Sequence, residues 1–136
     1  MKIAKTTITR TITLVLLLSG SSLMAAPTLN ITCTKAPYSV DIQTVSSEQA
    51  VFSLKKDSII VGTGDLKVLE GGYEASLLNA YILGFQAADD KAVILVGIPN
   101  LKELTTGTHE AKSDLIVISN EHVMEGSTLP CTVLVN

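Results

Sequence analysis

Residues Tyr73 to Ile98 read YEASLLNAYILGFQAADDKAVILVGI, and the rest of the chain is organised around them. The stretch divides at the polar tip Asp89-Asp90-Lys91 into two apolar arms. In the first arm both alternate faces are apolar through the middle, with Leu77, Tyr81, Leu83 and Phe85 on one and Leu78, Ala80 and Ile82 on the other. A strand covered on both sides has that composition, and so does a helix; Ala75 to Ala80 taken alone has fair helix propensity. The aromatic and β-branched residues further along, and the tight tip, predict a long strand with a short helix or bulge within Leu77 to Ala80. Ala92 to Ile98 is a continuous apolar run of the kind found in central strands, and Pro99-Asn100 stops it. A hairpin this apolar needs other strands to cover it.

Both flanks supply such strands. Leu29, Ile31 and Cys33 share one face of a first strand, and the turn Thr34 to Pro37 leads into Tyr38, Val40 and Ile42, which alternate with Ser39, Asp41 and Gln43. After the polar cluster Ser46 to Gln49, the alternation resumes with Ala50, Phe52 and Leu54. Lys56-Asp57 predicts a turn, Ser58 to Val61 a short strand, Gly62-Thr63-Gly64-Asp65 a further turn, and Leu66 to Leu69 another short run. Gly71-Gly72 supplies the backbone freedom of a hairpin or sharp bend; a phosphate-binding loop would need a following helix with a Lys, and Tyr73-Glu74-Ala75-Ser76 follows instead. Beyond the central hairpin, Leu101 to His109 reads as a loop, Asp114 to Ser119 as a strand, Asn120 to Thr128 as a loop, and Leu129 to Val135 as the last strand. The fold class is all-β, a small antiparallel β-barrel or β-sandwich of roughly eight strands.

Cys33 and Cys131 are the two cysteines. Each falls on the apolar face of its strand, and neither sits in a Cys-x-x-Cys pair or at metal-ligand spacing to a His, so the pair is expected to form a disulfide linking the first strand to the last. That pairing implies an oxidising compartment. The N-terminal segment agrees: Lys2, Lys5 and Arg10 precede the apolar run Ile12 to Leu18, and Ala25-Ala26 closes the segment, in the order of a secretory signal peptide. Residues 1–25 are therefore expected to be removed, with 26–136 forming a single secreted β-domain in the periplasm or outside the cell. The apolar run falls well short of the ~20 residues that span a bilayer, so no membrane span is expected in the mature chain. An outer-membrane barrel would need strands of about ten residues with aromatic girdles, and five aromatic residues are present.

With the leader removed, seven lysines face all thirteen acidic residues and no Arg remains, an excess of six negative charges. That balance disfavours nucleic acid as a partner. The sequence holds no recognisable catalytic set and no cofactor loop. His109-Glu110 and Glu121-His122 would make a metal site if their loops converged, but read singly they are solvated polar residues. No Ser stands in a nucleophile elbow, and Asp89-Asp90 lacks the alternating ligands and central Gly of a calcium loop. Asn30-Ile31-Thr32 matches the N-glycosylation triplet in any source that makes such links, although its place inside a strand argues against use.

In outline, a signal followed by one small disulfide-tied β-domain is similar to the small periplasmic inhibitors of lysozyme. Gly71-Gly72-Tyr73-Glu74-Ala75-Ser76 is the stretch nearest their Ser-Gly-x-x-Tyr signature, but Glu70 stands where the Ser would be and Tyr73 follows at the wrong distance. No family is assigned on that ground. The expected function is a non-enzymatic exported β-domain that binds a protein or cell-envelope component through an open strand edge or through the segments Gly62 to Asp65, Glu70 to Tyr73 and Pro99 to His109. The alternative is an inhibitor of a secreted hydrolase such as lysozyme, whose basic surface the acidic balance would attract. Self-association stays among the partner classes.

Overall fold

The computed structural model describes residues 28–69, 80–101 and 103–136. Eight strands follow one another in chain order: β1 (Leu29–Lys35), β2 (Tyr38–Thr44), β3 (Gln49–Lys56), β4 (Ile59–Leu69), β5 (Ala80–Gln86), β6 (Ala92–Pro99), β7 (Gly107–Ser119) and β8 (His122–Val135). Each is antiparallel to the next, and β8 returns to pair with β1, closing an up-and-down barrel. Closure removes most of the unpaired strand edge that an open sheet would leave.

Period-2 alternation decides which side chains fill the barrel. Ile31 and Cys33 of β1, Val40 and Ile42 of β2, Phe52 and Leu54 of β3, and Ile94, Val96 and Ile98 of β6 all turn inward and are buried. Phe85 of β5, Val117 of β7, and Met124 and Val133 of β8 complete the packing. The intervening positions of β1 to β3, such as Thr32, Thr34, Gln43 and Ser53, face outward. The outer face of the central hairpin is more apolar. Ile82, Val93 and Leu95 are half-buried there, and Leu69 and Leu95 close over Gly84, where an added Cβ would lie 3.1 Å and 3.3 Å from them. The hairpin's two apolar faces thus have two causes: the core on one side and these outer contacts on the other.

Cys33 and Cys131 stand directly opposite one another in the β1–β8 ladder and are joined by a disulfide, with Cα atoms 4.1 Å apart. The bond ties residues 98 apart in sequence, at the seam where the first strand meets the last.

The strands depart from the sequence reading at three places. Gly62 to Asp65 is no turn: β4 runs through it without a break, pairing Gly62 with Leu54 and Gly64 with Phe52. Asn120 to Thr128 is not a loop either, because β7 and β8 form a long hairpin whose connection is Asn120-Glu121, and ladder pairing begins at Ser119 and His122. The Leu101 to His109 connection is shorter than expected, since β7 begins at Gly107. Polar composition misleads here because these segments face solvent on one side while their backbones remain paired. Tyr73 to Asn79, Gly71-Gly72 and most of the Leu77 to Ala80 helix-or-bulge stretch lie outside the described residues; Ala80 itself is in β5.

Candidate functional site

Among the described residues, the longest interruption in the barrel wall lies between β4 and β5. β4 has eleven residues, yet among the described residues its ladder with β5 holds three pairs, Lys67 with Gln86, Val68 with Phe85 and Leu69 with Gly84. Toward the Asp57-Ser58 turn, Ile59 to Leu66 pairs with β3 on one side, and among the described residues no strand pairs with it on the other.

The cause is the short β5–β6 hairpin. Its turn is fastened to itself and to β7, leaving β4 alone: Ala87 N donates to Ala92 O (2.8 Å), Asp90 N to Ala87 O (3.0 Å), Lys91 N to Asp89 Oδ1 (3.1 Å), and Ile118 N to Lys91 O (2.7 Å). Asp90 adopts a positive φ of 60°, a conformation that Asp tolerates better than most residues. Asp89 and Asp90 therefore cap the tip in water, and Asp90 also accepts from the Gln86 amide.

Where the ladder is missing, two glycines let the interior close by contact. A Cβ on Gly64 would lie 2.7 Å from Phe52 Cε1, and one on Gly62 would lie 2.0 Å from Ser119 Oγ. Phe52 and the end of β7 thus press into hollows that any larger residue would fill. The result is a slot open to solvent along the free edge of β4. Two adjoining cavities, of about 490 and 410 Å³, make it up, and they share Asp65, Ala87 and Ala88. Its charged lining is Glu48, Asp65, Asp89 and Asp90 against Lys67 and Lys91. The ion pair among the described residues, Lys55 with Asp41 at 2.9 Å, involves none of these six. Beside the slot the strand exposes two large apolar side chains, Ile59 (67 %) and Ile60 (56 %).

The histidines do not converge. His109 lies near the start of β7, its Nε2 2.6 Å from Thr105 O, whereas His122 opens β8 with Nδ1 3.2 Å from the Tyr38 hydroxyl. Most of the length of β7 separates them, on the order of 30 Å at the usual rise per residue. The metal arrangement weighed from the two His-Glu pairs therefore does not form, and no group of three His, Cys, Asp or Glu among the described residues is placed to hold a metal. Asn30 sits within β1, half-buried and paired with Gln43 and Leu134.

Asp114 has a structural role. Its Oδ1 accepts from Thr128 N (2.8 Å) and from Ser127 Oγ (2.9 Å), which fastens the irregularity in the β7–β8 ladder between Ser113 and Leu115. The Thr128 backbone hydrogen bond, then that of Ser127, holds the carboxyl below its ordinary range.

Of the three segments expected to carry binding, Gly62 to Asp65 forms the free edge of β4, Glu70 to Tyr73 lies outside the described residues, and Pro99 to His109 spans the β6–β7 connection at the opposite end of the barrel. The edge itself was not visible as such in the sequence, because two glycines in four residues look like a turn. The available signal was the unbroken alternation of Gly62, Gly64 and Leu66 with Thr63, Asp65 and Lys67. Compared with known protein families, curated proteins and solved structures, the chain finds no match.

Proposed function

We propose that this protein is a non-enzymatic exported binding domain that engages a partner protein along the free edge of β4. The observation carrying this reading is that Ile59 to Leu66 of the eleven-residue β4 pairs with β3 on one side and, among the described residues, with no strand on the other. An unpaired edge offers a row of backbone donors and acceptors, and an extended segment of another chain satisfies them by adding a strand. Export is supported by the N-terminal charge and apolar pattern and by the disulfide, which persists in an oxidising compartment. The barrel is apolar inside and largely polar outside on β1 to β3, the reverse of the pattern of a barrel that sits in lipid.

Capture from the source organism's envelope and secreted fractions, followed by amide hydrogen exchange of the complex, tests the proposal. Slowed exchange across Ile59 to Leu66 on partner binding is the expected result. Slowed exchange confined to the β6–β7 connection or to the outer face of β5 and β6 would refute it. Inhibition of a secreted hydrolase is a special case of the same reading, favoured by the acidic balance, and a direct activity assay at low and moderate salt separates it from binding alone.

A further inference from the structure

We infer that the segment received by β4 is an extended strand of a partner protein carrying lysine or arginine at alternate positions, with small apolar residues between them. This rests on the edge-binding reading and adds the chemistry of the partner. A strand laid beside Ile59 to Leu66 continues the period-2 alternation of the wall. Its inward positions come level with Gly62 and Gly64, over which Ser119 and Phe52 already close, so that large side chains are excluded there and small apolar ones are required. Its outward positions come level with Thr63 and Asp65, both exposed, and face the Asp89-Asp90 tip across the slot. Glu48 stands on the same side as Asp65 at the closed end, positioned by its own carbonyl accepting from Val68 N (2.9 Å).

The four carboxylates outnumber the two slot lysines. Among the described residues their oxygens have few partners: Asp89 and Asp90 each accept one hydrogen bond within the turn, and the Asp65 and Glu48 carboxylates take part in no hydrogen bond or ion pair. A cationic side chain entering the slot would meet unneutralised acceptors, whereas an acidic one would meet like charge. The second-copy alternative is weaker on the same ground, since two β4 edges brought together would bring two acidic slots face to face.

The test uses three blocked synthetic heptapeptides of one pattern, Thr-X-Val-X-Val-X-Thr, with X as Lys, Gln or Glu, titrated into the isolated chain. Binding is followed by amide shifts and hydrogen exchange in Ile59 to Leu66. The lysine peptide is expected to shield these amides and to bind on the order of tenfold more tightly than the glutamine peptide at low salt, with the difference shrinking as salt rises. The double substitution Asp65→Asn, Glu48→Gln is expected to narrow that gap. Equal shielding by all three peptides would overturn the charge preference and leave the edge reading standing. Shielding by none would overturn the inference, and shielding already present in the free chain would overturn the edge reading with it. If that shielding in the free chain grows with protein concentration, the occupant is a second copy, and the inference fails.

Discussion

Gly62 is the residue on which the interior near the slot depends most directly. A Cβ there would sit 2.0 Å from Ser119 Oγ and 2.3 Å from Ser119 Cβ, so Gly62→Ala forces one wall to move. Overpacking of this kind costs about 1–3 kcal/mol, read from denaturant unfolding. Ser119→Gly in the same chain removes the colliding atoms and is expected to recover most of the loss; independent, additive effects of the two substitutions would show that the contact is not what matters. Asp114 gives a pH signature. Its hydrogen bonds to Thr128 and Ser127 depress its folded-state pKa, so its contribution to stability is present above the ordinary carboxylate range and is lost as pH falls through the depressed value. The stability difference between the wild type and Asp114→Ala is therefore expected to be largest near neutral pH and to shrink in acid. A difference that grew on acidification would contradict the assignment.

Among the elements, the β3–β4 hairpin and the β1–β8 seam set what holds the wall together. Asp57 and Ser58 connect Lys56 to Ile59 with φ of 51° and 69°, the two positive angles of a type I′ turn. Serine is poorly suited to that second position, so Ser58→Gly is expected to raise stability by about 0.5–1 kcal/mol, less what the unfolded chain gains in freedom. A fall in stability would mean that Ser58 has a role the backbone angles do not show. Breaking the Cys33–Cys131 bond by Cys→Ala at both positions is expected to cost about 2–5 kcal/mol, because the closed loop constrains most of the chain in the unfolded state. Elements of this kind were legible in the sequence where side chains alternate strictly. β1, β2 and β3 follow directly from apolar positions two apart, β6 from its unbroken apolar run, and the disulfide from two cysteines on apolar strand faces. Long strands with polar outer faces were not legible, since Glu125, Ser127 and Thr128 of β8 look like loop residues until the partner β7 is known. The free edge of β4 was hidden for a further reason. Whether a strand has a neighbour on each side is a property of ladder register, and no local pattern encodes it.

At the scale of the whole molecule, a closed, core-filled barrel with a disulfide at its seam is a rigid support, and among the described residues the β4–β5 split is where its wall leaves backbone unpaired. Rigidity lowers the cost of ordering on the barrel's side when a partner strand is added. The acidic balance of the chain acts over longer range, raising the encounter rate with basic surfaces at low salt and losing that effect as salt rises. The measurement that tests the central claim most directly is residue-resolved amide hydrogen exchange on the free protein. Amides of Ile59 to Leu66 pointing away from β3 are expected to exchange far faster than interior amides of β7, whose neighbours β6 and β8 pair with it on both sides. Uniform slow exchange along β4, equal to that of β7, would show the edge to be covered and would contradict the account.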